Sequence, residues 1–265
     1  MIEQMSEQMS GQMSATIETN EQPALDLLAA PDCALFLDFD GTLVDIAPRP
    51  DQVVVTPQLL AALAALQQRL NGRLAIVSGR PVAELDRMLA PLALPAAGVH
   101  GMEWRGVDGV LRQLPAPDFT AVRAQAHALA ARHPGLWVEE KHGALALHYR
   151  QAPELQALCV ETMADAVHTS LGLLLMEGKM IVEIKAAGVS KGTAIRDFLA
   201  EAPFAGYRPL FIGDDTTDEA GFDHVQRVGG IGLKVGPGPS VASCRIASSQ
   251  AVREALAQAA ATSTI

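Results

Sequence analysis

Cysteine is scarce in this 265-residue sequence: Cys33, Cys159 and Cys244 are far apart and form no CxxC or Cys/His pattern. A disulfide framework or a structural zinc site is therefore not expected. Long hydrophobic runs are also missing. The longest unbroken apolar stretches are about eight residues, as in 59–66, whereas a membrane span needs ~18. The N-terminus has no basic segment followed by an apolar one, so we expect no secretory signal. We expect a cytoplasmic monomer without a membrane partner.

Basic residues are fewer than acidic ones. The sequence has 20 Lys and Arg residues and 30 Asp and Glu residues, which gives a formal net charge of −10. A protein without an overall basic surface is not expected to bind nucleic acid. It can bind a small anion, but only through local cations, a metal ion or helix N-termini. The hydrophobic fraction of 49% is typical of a folded chain, and a chain of this length buries roughly 70–75% of its unfolded surface.

The first 22 residues have low sequence complexity. Gln-Met-Ser recurs at 4–6, 8–10 and 12–14. A period of four can align methionines on one helix face, but nothing else in the segment can build a core. We therefore predict a disordered tail over residues 1–22.

Short apolar runs alternate with helical patterns in two parts of the chain. Residues 34–37 and 74–77 are continuous apolar runs, as in strands buried on both faces of a parallel sheet. Between them, Thr56 and Pro57 begin a helix with leucine spacing that Asn71-Gly72 ends. This alternation predicts a doubly wound, Rossmann-like α/β core with a parallel sheet. Further core elements are expected as helices at 81–89, 190–202, 218–225 and 251–261 and as strands at 96–99, 210–212 and 232–235.

The middle of the chain has a different pattern. Hairpins are predicted over 102–114 and 137–149, and two helices and two more strands are predicted around the second one. Hairpins combined with helices are typical of an α+β unit. We therefore predict an inserted α+β cap domain over residues 102–185, with the core built from residues 23–101 and 186–265.

Two carboxylates follow the first predicted strand. Asp38 and Asp40 stand at i and i+2, so in extended backbone both side chains point to the same side. Ligands of open parallel sheets bind beyond the carboxyl ends of the strands, and two carboxylates this close favour a cation between them. Gly41 permits a sharp turn, and Thr42 offers a hydroxyl. The alternative is a solvated loop with two acids.

A second acidic group follows the strand predicted at 210–212. Asp214, Asp215 and Asp218 would bring further carboxylates near the first two, which suits a hard, oxygen-ligated ion. Mg²⁺ fits best because it takes few protein carboxylates, keeps waters and accepts a phosphate oxygen. Acids that favour a helix N-terminus are the alternative. That alternative explains Asp218 well and Asp214, still at the strand end, poorly.

Groups that could hold an anion stand at two other helix starts. Ser78 and Arg80 follow the strand at 74–77, where a hydroxyl and free backbone N–H groups could cradle an anion. Lys191 opens the helix predicted from residue 190 and would supply a fixed cation among the acids. Taken singly, an N-cap serine and a solvated lysine are ordinary features.

Four motifs at strand ends and helix starts occur in one order: Asp-x-Asp-Gly-Thr, Ser-Gly-Arg, Lys, and Gly-Asp-Asp-x-x-Asp. In this order the sequence resembles the haloacid-dehalogenase-like phosphatases. The resemblance implies that Asp38 is the nucleophile, which becomes an aspartyl-phosphate. It implies that Asp40 protonates the leaving sugar oxygen and then deprotonates the attacking water, and that Ser78 and Lys191 hold the phosphoryl oxygens.

The same resemblance implies a magnesium site. Asp38, Asp214 and the backbone carbonyl of Asp40 would hold Mg²⁺, and Asp215 and Asp218 would support that site. The chemistry agrees with these roles, because carboxylate attack divides hydrolysis into two easier steps and fixed cations stabilise the anionic phosphoryl group. The inserted segment would close over the site and exclude water.

Polar clusters in and around the insert are similar to those of the trehalose-phosphate phosphatases. The similarity extends from about Cys33 to Ala247, with the most specific elements at 98–103, 177–179 and 182–185. It implies a small sugar phosphate, trehalose 6-phosphate, as the substrate, in a pocket rich in hydrogen-bonding groups. The residues that would bind this disaccharide phosphate are Arg80, His100, Glu103, Lys141, Glu177 and Lys179.

Other interpretations are left open by the sequence. The chain could be another sugar phosphatase of the same architecture, such as one that acts on sucrose phosphate. A receiver-type signalling domain also uses an acidic Mg²⁺ pocket and an acceptor aspartate, but it predicts a compact domain of about 120 residues. Glu183 and Lys185 are equally well explained as surface residues that each pair with a residue of a neighbouring strand. A catalytically dead sugar-binding module is disfavoured by the intact set of Asp38, Asp40, Lys191 and Asp214.

Overall fold

The computed structural model describes residues 19–47, 49, 52–178 and 180–262. Within these ranges, no helix is both long and apolar enough to cross a membrane. The described strands are β1 (Cys33–Leu37), β2 (Leu74–Val77), β3 (Ala96–Gly98), β4 (Glu103–Arg105), β5 (Leu111–Gln113), β6 (Trp137–Lys141), β7 (Ala144–His148), β8 (Leu173–Gly178), β9 (Ile181–Ala186), β10 (Arg208–Gly213), β11 (Ile231–Val235) and β12 (Cys244–Ile246). The described α-helices are α1 (Gln22–Ala29), α2 (Pro57–Arg69), α3 (Val82–Leu89), α4 (Thr120–Arg132), α5 (Gln156–His168), α6 (Lys191–Leu199), α7 (Glu219–Arg227) and α8 (Ser249–Ala261).

The core is an eight-stranded sheet in the order β12-β11-β10-β1-β2-β3-β4-β5. The strands from β12 to β3 are parallel, and β4 and β5 continue the sheet in antiparallel fashion. The chain builds one half of the sheet outward from β1 and, after the insert, builds the other half outward from β10. This topology confirms the predicted doubly wound α/β core.

Side chains of β1 alternate between two hydrophobic layers. Cys33, Leu35 and Leu37 belong to the layer that α1, α2, α3 and α8 cover, whereas Ala34 and Phe36 belong to the layer that α6 and α7 cover. All five residues are buried, because successive side chains of a strand point to opposite faces and both faces are covered here. A strand in this position is apolar throughout, which is the pattern that predicted it.

The insert forms a second, antiparallel sheet in the order β6-β7-β9-β8, with α4 and α5 packed on one face. Ile184 of β9 is buried under these helices, so its neighbour Glu183 lies on the opposite, open face of the sheet. At one end the insert contacts the core, where Ala144 and Ala186 pack against Val99.

The predicted hairpin over 102–114 forms, but its assignment to the cap was wrong. β4 pairs with β3, with Trp104 opposite Ala97, and β5 continues from β4, so both strands extend the core sheet. The periodicity of a hairpin shows how its own strands pair, not which sheet its outer edge joins. We propose that the cap begins after Gln113 instead of at residue 102.

The described chain is ordered from residue 19, within the segment that was predicted to be a disordered tail. The backbone N–H of Asn20 donates to Arg245 O (3.1 Å) in β12, and α1 follows and buries one apolar face. The disorder predicted for residues 19–22 is therefore wrong, and the rest of that prediction, for residues 1–18, lies outside the described residues. α1 and β12 had no predicted counterpart.

Helices α6 and α7 approach closely at Gly192, so a side chain at this position is expected to destabilise the fold. A Cβ at this position would lie 2.3 Å from Ala220 O, so Gly192→Ala must push the two helices apart. We expect the free energy of unfolding, measured by urea denaturation, to fall by about 1–3 kcal/mol. Asp197→Ala, at an exposed position of the same helix, is the matched control and should change it by less than about 0.5 kcal/mol. Equal stabilities of the two variants would contradict the close approach.

Candidate active site

The carboxyl ends of three neighbouring strands meet at one edge of the core sheet. β1 lies between β2 and β10, and Asp38, Ser78 and Asp214 are the residues that directly follow these strands. The Asp38 N–H donates to Ile212 O (2.9 Å), which continues the pairing of β1 with β10. Parallel pairing therefore gathers polar side chains that are distant in the sequence.

Lys191 lies at the centre of this edge. Its ammonium donates to Asp38 Oδ1 and to Asp218 Oδ1, both at 2.6 Å, and all three side chains are buried. The Ser190 side chain caps α6, so the helix begins where Lys191 enters the site. Burial opposes the charged form, but the Asp218 and Asp38 carboxylates outweigh burial and hold the pKa of Lys191 above its usual value. The site therefore contains a fixed cation.

Three carboxylates surround this cation. Ligand oxygens of Asp38, Asp214 and Asp218 lie within 4.8 Å of one another. Burial raises the pKa of Asp38 well above its usual value; Lys191 opposes this rise, and the Asp218 and Asp214 carboxylates add to it. Burial, with the Asp218 carboxylate, likewise raises the pKa of Asp214 to about 6. A further cation bound among these groups would favour their ionised forms.

Two local features fit a hard metal ion at this point. Asp214 Oδ1 is buried and has no hydrogen-bond partner among the described residues, although buried polar atoms are normally satisfied. Asp214 Oδ2 occupies the space that a side chain at Gly41 would fill, since a Cβ there would lie 2.1 Å away. Gly41 also has a φ of +81°, which favours glycine. A set of carboxylate donors suits Mg²⁺.

Asp218 and Asp215 differ in their surroundings. Asp218 is fully buried, and its Oδ2 accepts from the backbone N–H groups of Asp214 (3.0 Å) and Asp215 (2.9 Å), so it shapes the loop that carries Asp214. Asp215 is exposed and accepts from the Thr216 N–H (2.7 Å). The structure therefore places Asp215 outside the group of three carboxylates.

Lys234 supports the same loop from β11. This buried lysine donates to the backbone carbonyls of Asp214 and Val235, so its positive charge lies close behind the acids. Sequence reasoning missed it because a lysine within a strand belongs to no motif. Only the pairing of β11 with β10 places it here.

Asp40 lies beside Arg80 at the same edge. Arg80 donates from Nε to Asp40 Oδ2 (2.6 Å) and from Nη2 to Asp40 Oδ1 (2.8 Å), and Nη1 reaches Glu84 (3.2 Å). Burial works against the charged form, but the Asp40 carboxylate outweighs burial and holds the pKa of Arg80 above its usual value. The Arg80 N–H donates to Ser78 Oγ (3.1 Å). The structure thus brings together the four predicted catalytic residues, Asp38, Asp40, Ser78 and Lys191, around one cavity.

This cavity joins the edge of the core sheet to the open face of the cap. Its volume is about 940 Å³, at the upper end of the range for small-molecule sites. The predicted substrate-binding residues that line it are Arg80, His100, Lys141 and Glu177. Lys179, which was also predicted to bind the substrate, lies outside the described residues.

The structure does not bring Glu103, the remaining predicted binding residue, to the cavity. Its carboxylate accepts from the Val82 N–H (2.8 Å) and from Gln113 Nε2 (3.2 Å), and the side chain is buried. Glu103 therefore holds the start of α3 against β5. The sequence motif placed it next to His100 but did not show that the strand turns its side chain away.

His100 and Glu183 connect the core to the cap. His100 Nε2 lies 3.3 Å from Glu183 Oε2. Burial would raise the pKa of Glu183, but His100 and Lys141 outweigh burial and hold it at about 2. Burial lowers the pKa of His100, and the hydrogen bond to Glu183 and the charge of Glu183 oppose this shift. Glu183 lines the cavity and Lys185 is buried, so neither is the exposed member of a cross-strand surface pair.

Three further cap residues in the cavity wall were not among the predicted binding residues. Trp137 and Glu139 lie on β6 and His148 lies opposite Trp137 on β7. Because Trp137, Glu139 and Lys141 are two residues apart, they share one face of the strand. That alternation was the available signal, since Lys141 had already been predicted to bind the substrate.

Comparisons with known proteins agree on one family. The chain matches the family model described as trehalose-phosphatase over residues 36–258. It is 44% identical over 216 residues to the trehalose-6-phosphate phosphatase of Escherichia coli (strain K12), covering 81% of each chain. It is 43% identical over 206 residues to a probable trehalose-phosphate phosphatase of Sinorhizobium fredii (strain NBRC 101917 / NGR234), covering 77% of this chain and 78% of the relative.

Solved structures share the fold. A trehalose-6-phosphate phosphatase related protein is 28% identical, with a TM-score of 0.68, over 85% of this chain and 96% of the other. The C-terminal domain of the C. albicans trehalose-6-phosphate phosphatase has the same fold, with a TM-score of 0.79 at 23% identity over 90% of this chain and 97% of the other. The family model covers the core and the insert together. The chain therefore belongs to the trehalose-phosphatase family, whose members are phosphoric monoester hydrolases.

Proposed function

We propose that the chain hydrolyses trehalose 6-phosphate to trehalose and phosphate, with bound Mg²⁺ and through an aspartyl-phosphate on Asp38. The observation that carries this proposal is the buried contact of Lys191 with Asp38 and Asp218 in a cavity shared with the cap. Membership of the family and the names of the relatives support the substrate. We also propose that the protein works as a monomer in the cytoplasm.

Asp38 acts as the nucleophile in this proposal. Lys191 binds its Oδ1 (2.6 Å), so Oδ2 is the oxygen that attacks phosphorus. The bond from phosphorus to the sugar oxygen breaks as the bond to Asp38 forms, which divides the hydrolysis into two easier steps. Lys191 and the Ser78 hydroxyl stabilise the negative oxygens of the transferred group.

Asp40 acts first as the general acid and then as the general base. It gives its proton to the departing sugar oxygen and then takes a proton from the water that attacks phosphorus, which releases phosphate and restores Asp38. Without such a base an aspartyl-phosphate persists. Both oxygens of the Asp40 carboxylate accept hydrogen bonds from Arg80. Proton donation in the first step therefore requires Arg80 to turn towards the phosphoryl group.

The Mg²⁺ ion would be held by Asp38, Asp214 and the backbone carbonyl of Asp40. When bound, it offsets negative charge on the phosphoryl oxygens. Asp218 positions Asp214 and Lys191 instead of binding the ion, since both of its oxygens already accept hydrogen bonds. Asp215 supports the site only indirectly, by capping the turn that follows Asp214.

The cap supplies the sugar-binding groups in this proposal. We call the edge of the core sheet that carries Asp38 and Lys191 the catalytic edge. Lys141, Glu177 and Glu183 of the cap line the same cavity, and Lys179 remains a proposed binding residue. A sugar presents many hydroxyls, and each one that is buried needs a hydrogen-bond partner. A cavity wall of carboxylates and ammonium groups meets that need better than an apolar wall would.

A substrate panel with phosphate release tests the function as a whole. We expect kcat/KM for trehalose 6-phosphate to exceed that for sucrose 6-phosphate or glucose 6-phosphate by at least about a hundredfold, because a wrong sugar leaves buried polar groups unpaired. A preference for sucrose phosphate would overturn the proposed substrate. A stable phosphoprotein that releases no phosphate would indicate a phospho-accepting signalling domain instead.

Asp38→Asn tests the nucleophile. We expect kcat to fall by at least about a thousandfold, because an amide is a poor nucleophile and a poor metal ligand. Asp32→Asn is the matched control, since Asp32 is exposed at the opposite end of the same strand. Thermal unfolding should show that both variants are folded. Turnover by Asp38→Asn close to that of the control would contradict the role of Asp38.

The metal site is tested without reference to turnover. At a Mg²⁺ concentration about a hundredfold above its dissociation constant, we expect the Tm of the unchanged protein to rise by roughly 5 °C. Asp214→Asn should lose most of this rise, whereas Asp215→Asn should keep it, because the exposed Asp215 lies outside the carboxylate group. An equal rise in both variants would remove Asp214 from the proposed site.

A further inference from the structure

Trp137 is a large aromatic side chain in the cap wall of the cavity. It begins β6, shares the open face with Glu139 and Lys141, and lines the cavity. Trp137 is 44% exposed, which is a large exposed fraction for a tryptophan. Neither the catalytic mechanism nor the hydrogen bonding of hydroxyls gives this side chain a role.

The indole is held in place from one side. Its ring stacks on His148 with a centroid distance of 3.7 Å and an interplanar angle of 6°. His148 Nε2 in turn donates to Glu139 Oε2 (3.0 Å), and Glu139 Oε1 lies 3.3 Å from Lys141 Nζ. Because His148 covers one face of the indole, the exposed surface belongs to the other face and the ring edges. Trp137 therefore presents a flat, oriented surface to the cavity.

The position of Trp137 along the strand indicates which part of a ligand it would meet. Lys141 pairs with Ala144, which packs against the core at Val99, so this end of β6 is close to the catalytic edge. Trp137 is four residues further along the strand, roughly 13 Å away. A phosphate ester bound at Asp38 therefore reaches Trp137 only with a part remote from the phosphoryl group.

We propose that the exposed face of Trp137 packs against the sugar ring that carries no phosphoryl group, and so selects disaccharide phosphates over smaller esters. The ring face of a pyranose is made of C–H groups, which pack favourably on an aromatic plane. Its hydroxyls project from the ring edge, where Glu139 and His148 can bind them. This inference rests on the proposed function, since it assigns a role within the same cavity.

Fluorescence reports directly on this contact. The chain has two tryptophans, so Trp104→Phe leaves Trp137 as the single reporter, and Asp38→Asn in the same protein prevents turnover. We expect trehalose 6-phosphate to shift the emission of Trp137 to shorter wavelength, because the sugar displaces water from the indole. Glucose 6-phosphate and inorganic phosphate should produce no shift. An unchanged emission spectrum at saturating trehalose 6-phosphate would overturn the contact.

Kinetics separate stacking from a structural role of Trp137. Trp137→Ala should raise KM for trehalose 6-phosphate about five- to tenfold, with kcat changed less than about twofold and with p-nitrophenyl phosphate hydrolysed as before. Trp137→Phe should restore most of the affinity. Leu174→Ala is the matched control: Leu174 is 47% exposed and lies on the same sheet face, but is not among the residues that line the cavity.

Failure of the proposed function and failure of the inference about Trp137 give different results. An unchanged protein that does not hydrolyse trehalose 6-phosphate overturns the proposed function, and this inference with it. Efficient hydrolysis with the same KM in Trp137→Ala overturns the inference alone. Equal losses on trehalose 6-phosphate and p-nitrophenyl phosphate would show that Trp137 only supports the cap, and would also overturn it.

Discussion

The structure depends on one buried contact, that of Lys191 with two carboxylates. A buried ammonium loses hydration worth several kcal/mol, so it is tolerated only where Asp38 and Asp218 compensate it. These three groups come from the end of β1, the start of α6 and the turn before α7. The contact therefore requires β10 to lie beside β1 and α6 to pack on α7, where Gly192 permits the close approach. The same packing that stabilises the core also aligns the site.

A turn with an unusual backbone conformation lies where the core contacts the cap. Val99 and His100 have φ values of +47° and +56°, a region that residues other than glycine seldom adopt. The turn brings His100 to Glu183 of the cap, while His100 Nδ1 has no hydrogen-bond partner among the described residues. Such conformations are retained where the surroundings impose them, often at functional sites. Here the conformation places the His100 side chain of the core against Glu183 of the cap.

Much of the core was predictable because its signals are local. Strand β1 is apolar throughout because both of its faces are covered, and the Thr56 side chain caps α2 by accepting from the Leu59 N–H (3.2 Å). Asp38, Asp40 and Ser78 follow strands and Lys191 begins α6, so the boundaries of the predicted elements located them. The hairpin of β4 and β5 and the short strand β12 were misplaced or missed, because their position depends on which sheet edge is free. Trp137 and Lys234 likewise belong to no motif.

By itself, the sequence determined most of the helices and strands, the doubly wound order of the core and the identity of the acids at the strand ends, because these follow from periodicity and motif spacing within short segments. Tertiary structure alone decided which acids share a cation, since Asp218 turns both oxygens inward while Asp215 faces solvent. It also decided that Glu103 serves the core and Glu183 the cavity. The physical reason is that the burial of a side chain and its distance from other side chains depend on segments far apart in the chain. The spacing of residues within one short segment therefore does not reveal them.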